Sequence, residues 1–292
     1  MILIDGKKIA AEIKEEIKNK ISALVKEGKN TPGLVTILVG DDPGSQIYIN
    51  NKGKACIEAG MRSVTERLSA DTSEHDLLDL ISYYNNNKDY HGILVQIPLP
   101  KHIDEAKVIE AISPEKDVDG FHPISIGNLV LGKDTFVSCT AAGIQELLKR
   151  YNIETSGKHV VVIGRSNIVG KPIANLLMQK NKYANAIVTV CHSAAKDLSQ
   201  FTRTADILIA AIGKPGFVKE DMVKEGAVVI DVGINRIKDD NHPNGSRVVG
   251  DVDFPNVSKK ASFITPVPGG VGLMTIAMLL KNTYKAYLKY GG

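Results

Sequence analysis

The chain of 292 residues has no tryptophan, only 5% aromatic residues and only three cysteines. Cys56, Cys139 and Cys191 make no CxxC pair, and their wide spacing fits no zinc pattern. An odd, sparse set of thiols excludes a disulfide framework and points to a reduced, cytoplasmic protein. No run of about 18 uncharged apolar residues exists, so no transmembrane helix is expected. The opening MILIDGKKIAAEIKEEI is charged almost at once and lacks a signal-peptide apolar run. Charge of one sign is also missing: 36 Lys and Arg against 33 Asp and Glu leave +3. With no basic block, a nucleic-acid partner is not expected. There is no internal repeat and no low-complexity tract.

What is present is ordinary globular material, 43% hydrophobic and 24% charged, long enough for two domains or one large one. Short apolar runs alternate with amphipathic stretches, the pattern of α/β folds with parallel sheets. Ile9, Ile13, Ile17, Ile21 and Leu24 share one side of a helix running to about Glu27. GLVTILVG (33–40) reads as a buried strand. Asp42-Pro43-Gly44-Ser45 then caps a helix that stops at Gly60. Ser63–Leu68 and Gly92–Ile97 read as strands, with a helix after Asp71-Thr72-Ser73. The Pro-, Gly- and Asp-rich segment 113–143 interrupts the alternation and reads as an inter-domain crossing. The pattern restarts with a helix near Gly143–Tyr151 and the strands HVVVI, AIVTVC, DILIAAI and AVVIDVG. A last amphipathic helix, 273–290, closes the chain. Asp239–Ser246 reads as an exposed hairpin loop.

Strand 159–163 leads into Gly164-Arg165-Ser166-Asn167-Ile168-Val169-Gly170-Lys171-Pro172. Two glycines where a strand becomes a helix leave backbone N–H groups free beside a positive helix end, and a pyrophosphate can settle there. The spacing is not GxGxxG, and an ordinary turn is an equal reading of this motif alone. The next strand ends in Cys191-His192-Ser193, where NAD enzymes carry an acid for the ribose hydroxyls. An acid would repel a 2′-phosphate. Ser193, with Arg165 in the turn, favours NADP, although Ser193 could equally cap a helix.

Tyr48 and Lys52 are four apart and share a helix face, which by itself is more often a solvated face. Gln96, at the carboxyl end of an apolar strand, is harder to explain blandly, because ligands bind at such ends. Pro114-Glu115-Lys116-Asp117-Val118-Asp119-Gly120-Phe121 carries three acids in a loop. No further acid stands at EF-hand spacing, so no metal is expected. Thr265-Pro266-Val267-Pro268-Gly269-Gly270-Val271-Gly272 exposes backbone amides or stiffens a connector.

Taken together, these segments resemble the methylenetetrahydrofolate dehydrogenase/methenyltetrahydrofolate cyclohydrolase family. The motifs are GSQIYINNKGKACIEAG, LVQIPLP, PEKDVDGFHP, VIGRSNIVGKP, VTVCHS, VIDVGINR, VGDVDF and ASFITPVPGGVG, in the family's order over nearly the whole chain. The resemblance implies two α/β domains flanking a cleft, in a protein usually found as a homodimer. Residues 1–140 would be the folate-binding catalytic domain, completed by a returning helix 273–292. Residues 141–272 would be a Rossmann-type NADP domain. It implies Lys52 as catalytic lysine, Tyr48 beside it, Gln96 against it, and Asp119 reading the pterin-like ring. Val95, Ile97 and the stretch Pro268, Gly269, Gly270, Val271 and Gly272 would line the substrate. Gly164, Arg165, Ser166, Ser193, Ile234 and Thr140 would line NADP. Two departures stand out. The family's Pro-Cys-Thr-Pro-x-Gly is Ser138-Cys139-Thr140-Ala141-Ala142-Gly143 here, which loosens that backbone. Its Gly-Val-Gly-Pro-Met-Thr is Gly270-Val271-Gly272-Leu273-Met274-Thr275, which frees the start of the last helix.

The implied reactions are hydride loss from the methylene adduct and water attack on the methenyl cation. Placement carries the first. Lys52 is the proton handler of the second, and as a base its reference pKa of about 10.4 must fall through desolvation. Two rival readings are a different NADP-dependent two-domain dehydrogenase and a dinucleotide-sensing regulator. The regulator needs a DNA- or partner-binding element, and the sequence has no helix-turn-helix with a basic face.

Overall fold

A computed structural model describes residues 1–240 and 245–291. The elements run β1 (Ile2–Leu3), α1 (Gly6–Lys26), β2 (Gly33–Val39), α2 (Pro43–Glu58), β3 (Arg62–Leu68), α3 (Glu74–Asn86) and β4 (Gly92–Val95). Three helices follow: α4 (Glu105–Ala111), α5 (Pro123–Val130) and α6 (Cys139–Arg150). Next come β5 (His159–Ile163), α7 (Gly170–Leu177), β6 (Ile187–Cys191), α8 (Ser199–Thr202), β7 (Ile207–Ala210) and β8 (Val228–Asp231). The chain ends with β9 (Asn235–Lys238), β10 (Ser246–Val249), α9 (Phe254–Val257), β11 (Phe263–Ile264) and α10 (Val271–Tyr290). Two compact units result: 11–138 with the stretch from Ile276 onward, and 1–10 with 139–275. The boundaries fall inside α1 and α10. Among the described residues no helix is long and apolar enough to cross a membrane.

The smaller sheet is parallel, in the order β3-β2-β4. All seven residues of β2 are buried, as a central parallel strand covered on both faces requires. Val35, Ile37 and Val39 pack with Leu77 and Ile81 of α3, and with Ile93 and Val95 of β4. The five periodic side chains of α1 are at most 8% exposed. Each such burial is worth about 1.5–3 kcal/mol. The Asp42 carboxylate accepts the Ser45 N–H at 2.7 Å and caps α2, and Gly60, at φ +81°, lets the chain leave it. Ser73 caps α3 in the same way. The segment after Ser113 is not the expected linker. It stays within this unit to Ser138 and contains α5, capped by His122 Nδ1, which accepts the Ile124 N–H. Asn282 of α10 fastens it by donating to the carbonyls of Val118 and Val137.

The larger sheet, β1-β11-β8-β7-β5-β6, is parallel throughout. The first ten residues belong to it because β1 extends its edge beside β11. Helix α6 begins at Cys139, four residues before the expected start. Ala141 and Ala142 are strong helix formers, and the departure from the family's two prolines falls at Ser138, just before the helix, and at Ala141, in its first turn. Gly143 is needed there, since a Cβ would stand 2.8 Å from the Cβ of Met274. Leu273, the other departure, is the third residue of α10 and half-exposed. Strands β9 and β10 pair antiparallel, as expected of a hairpin around 239–246, while 241–244 of its tip lie outside the described residues.

Candidate active site

In the smaller sheet the chain leaves β2 for β3 on one side and returns to β4 on the other. Such a reversal opens a crevice at the carboxyl ends of the strands. Gln96 stands there, one residue past β4, its backbone N–H held by the Ile37 carbonyl at 2.8 Å. Its Nε2 donates to the Ile97 carbonyl at 2.8 Å, which turns Oε1 outward. Lys52, from the middle of α2, donates from Nζ to that Oε1 at 3.1 Å. Both side chains are half-buried. Tyr48 lies one turn before Lys52, 40% exposed. The Val95 side chain packs into the core with Ile37 and Ile81, so only its backbone faces outward, whereas Ile97 is half-buried.

The three acids of 114–121 separate cleanly. Asp117 is buried, and its carboxylate accepts the N–H groups of Gly120, Phe121 and His122 at 3.1, 3.1 and 2.9 Å. Burial pushes its pKa up, while Ser125 and these amides pull it down. Asp117 therefore shapes the loop. Asp119 is half-buried, and its carboxylate receives no hydrogen bond among the described residues. Glu115 is exposed. Among the described residues no cluster of His, Cys, Asp or Glu could hold a metal ion.

The larger sheet reverses at β5, with β6 on one side and β7 on the other. Gly164 follows β5 at φ +123°, and a Cβ there would overlap the Ala211 carbonyl. A Cβ on Gly170 would overlap the Gly164 carbonyl. The two glycines let strand and helix close into a tight turn, and the exposed N–H groups of Arg165, Ser166 and Asn167 have no partner among the described residues. That cradle fits a dinucleotide diphosphate. Ser166 Oγ accepts the N–H groups of Val169 and Gly170 at 3.2 and 3.4 Å, where the turn enters α7. Arg165 and Ser193 stand two residues beyond Ile163 and Cys191, which are register partners. Ser193 lies in a turn, six residues before α8, so it caps no helix. Thr140 is half-buried in the first turn of α6.

The 265–272 loop is pinned to the start of α1. Gly269 accepts the Lys7 N–H at 3.0 Å, and a Cβ on Gly6 would overlap the Gly270 carbonyl. Gly269 takes φ +110°, Pro268 is exposed and Val271 is buried. Ile234, 51% exposed, approaches Gly272, where a Cβ would meet its Cδ1 at 3.0 Å. Beneath lies a pair the sequence reading passed over. Buried Asp231 accepts the N–H groups of Gly233 and Asp251 at 2.9 Å each and of Val252 at 3.0 Å. Buried Asp251 accepts those of Ile212 and Gly213 at 2.7 and 2.9 Å. Gly250 lies against one carboxylate and Gly233 against the other, leaving no room for a Cβ. An acid ending each of the apolar runs VVID and VVGD was the available signal.

A reversed parallel sheet with this turn beside its switch strand makes the chain a nicotinamide-nucleotide enzyme of the α/β class, with its Lys–Gln pair on a second sheet. Family comparison then narrows the class. The model for the tetrahydrofolate dehydrogenase/cyclohydrolase catalytic domain matches residues 4–119, and that for its NAD(P)-binding domain matches 138–290. The chain belongs to the tetrahydrofolate dehydrogenase/cyclohydrolase family. It is 60% identical to the bifunctional protein FolD of Chloroherpeton thalassium over 98% of both chains. The crystal structure of the bifunctional enzyme FolD from Campylobacter jejuni is 51% identical, with TM-score 0.92 over 98% of each chain. The Trypanosoma brucei dehydrogenase-cyclohydrolase, complexed with NADP and an inhibitor, is 39% identical, with TM-score 0.93 over 99% of this chain and 98% of that one.

Proposed function

We propose how this chain's residues divide the labour of a bifunctional enzyme. It oxidises 5,10-methylenetetrahydrofolate with NADP and hydrolyses 5,10-methenyltetrahydrofolate to the 10-formyl product. The observation that carries the proposal is the Lys52–Gln96 hydrogen bond at the switch point of the smaller sheet.

NADP, when bound, supplies the hydride acceptor. The chain's part in the first reaction is placement. Arg165, Ser166 and Asn167 offer amides to the diphosphate, and Ser193 leaves room for a 2′-phosphate. Gly164, Thr140 and Ile234 line the same cofactor. Asp119, free of internal bonds, reads the donor edge of the pterin-like ring, while the Val95 backbone and Ile97 line the folate. In the second reaction water adds to the cationic methenyl carbon and loses a proton, and the adduct opens when the carbon's bond to N5 breaks and N5 takes a proton, so that one proton is released overall. Lys52 takes the proton from the water, because one of its N–H groups is already engaged by Gln96 and the nitrogen is thereby aimed. Gln96 adds no charge, so it positions the amine without raising its basicity as a carboxylate would. Tyr48 restrains the opposite side.

NADP-dependent absorbance gain with methylenetetrahydrofolate, beside methenyl hydrolysis on the same preparation, tests the assignment. Both activities are expected. Neither would survive if the chain bound a different substrate. The resemblance further supports a cytoplasmic homodimer, which sedimentation velocity checks.

A further inference from the structure

We propose that Lys196 and Lys214 grip the 2′-phosphate of NADP from a pocket beside Ser193, and so set the cofactor preference. The proposal rests on the cofactor reading above and goes beyond Arg165 and Ser193. The pocket, about 320 Å³, is lined by Ser193, Lys196, Asp197, Ile212, Lys214 and Phe217, among others. Lys196 follows β6 by five residues and Lys214 follows β7 by four, so both belong to the carboxyl edge where the ligand lies. These strands flank β5, whose following turn offers the diphosphate its amides.

The charges in the pocket are unbalanced. Neither lysine has an ion-pair or hydrogen-bond partner among the described residues. Lys214 Nζ lies 5.8 Å from the centroid of the Phe217 ring, in the same lining. Asp197 is the acid of that lining, and it is committed elsewhere. Its Oδ1 accepts the Ser199 N–H at 2.8 Å, and Arg203 is its cationic neighbour. Two ammonium groups and the free Ser193 hydroxyl remain. A phosphate monoester near pH 7 carries a charge of about −1.5 to −2 and three acceptor oxygens, which matches that set. A ribose bearing only a 2′-hydroxyl offers no charge and a single neutral oxygen in place of three. The pair therefore discriminates between the two nicotinamide nucleotides rather than binding both.

Calorimetric binding of adenosine 2′,5′-bisphosphate, ADP, NADP and NAD to the full-length wild type and to Lys196→Ala, Lys214→Ala and Lys196→Arg tests this. Both lysines are exposed, and circular dichroism is expected to leave the variants folded. Each alanine variant should raise the Kd for the 2′-phosphorylated ligands by about 10-fold, the scale of one charged hydrogen bond. ADP and NAD should be unchanged, and Lys196→Arg should retain wild-type affinity. Wild-type affinity for adenosine 2′,5′-bisphosphate in both alanine variants would overturn the proposal, as would equal losses for ADP. A wild type that binds NADP no better than NAD would instead overturn the cofactor reading, and the lysine pair with it.

Discussion

Lys52 Nζ and Gln96 Oε1 meet at 3.1 Å although 44 residues separate them, one from a helix and the other from the end of a strand. Gln96 cannot rotate away without losing its own bond to the Ile97 carbonyl. The amine is thus held by a neutral acceptor whose orientation is fixed.

The first prediction follows from that geometry. Lys52→Met keeps the apolar stem and removes the amine. Methenyl hydrolysis should fall by about 10²–10⁴-fold, the usual worth of a placed acid/base group. Part of the dehydrogenase activity should remain, because hydride transfer needs placement more than proton movement. Gln96→Glu should depress hydrolysis while moving its pH optimum upward, since a carboxylate holds Lys52 protonated. Single-turnover rates of both steps on one preparation decide it. Near wild-type hydrolysis in Lys52→Met would return Tyr48 and Lys52 to a solvated helix face.

Much of this site was legible in the sequence, and the reason is local. The apolar runs, the Asp42 and Ser73 caps and the Gly60 stop are written in contiguous residues. Gln96 stood out because an amide ends an otherwise apolar strand. The Lys52–Gln96 bond was not legible from periodicity, because it joins two elements through a sheet order that no spacing reveals; family resemblance supplied it. The role of Asp117 was hidden for a related reason. Three acids in one loop look alike until the fold buries one of them. Asp231 and Asp251 were missed because their partners, the Asn235 side chain apart, are backbone amides of three separate segments, 212–213, 233 and 251–252. Helices α4 and α5 were missed because short helices between Pro- and Gly-rich turns carry little periodic signal.

The second prediction separates the acids of that loop. Asp117→Ala leaves the Phe121 and His122 N–H groups without their acceptor, while that of Gly120 keeps the Asp117 carbonyl, and at about 1–3 kcal/mol for each buried loss it should destabilise by roughly 2 kcal/mol or more. Asp119→Ala removes no internal bond and should stay within about 0.5 kcal/mol of wild type in urea unfolding. Asp119→Ala should weaken folate binding while leaving NADP binding intact. A titration with normal folate affinity would take Asp119 out of the site.

A third prediction concerns acid. His91 is 8% exposed, and its Nδ1 accepts the Gly33 N–H at 3.0 Å at the start of β2. Burial, and then the Lys116 charge, push its pKa below the usual value; Arg62 adds to this and Asp89 opposes it. The neutral ring is thus favoured in the folded state. Its stabilisation is fully present above the unfolded pKa of about 6.5 and is lost as pH falls through the lower folded value. Unfolding midpoints of wild type and His91→Asn, measured from pH 7.5 to 5, should converge on acidification, because asparagine accepts the Gly33 N–H without titrating. A constant difference would mean that His91 titrates normally.

The last prediction has the opposite sign and lies in the other unit. Burial of Asp231, with Asp251 adding repulsion, pushes its carboxyl up to about 6 against the pull of three backbone N–H groups. An unfolded aspartate titrates near 3.9. Between about pH 4 and 6 the folded state therefore holds the extra proton, and stability declines as pH rises through this window and levels off above it. At about 1.4 kcal/mol per unit, the change is on the order of 3 kcal/mol. Other carboxylates contribute slopes of their own, so the informative quantity is the difference between wild type and Asp231→Asn. The asparagine cannot titrate, and its amide nitrogen faces backbone donors, so the variant should be less stable at every pH. The gap should be widest near pH 4, shrink as pH rises to about 6, and stay constant above 7. Urea unfolding at half-unit intervals reads it directly. A gap that widens between pH 4 and 6 would mean that the backbone amides outweigh burial and hold Asp231 below the ordinary carboxylate range.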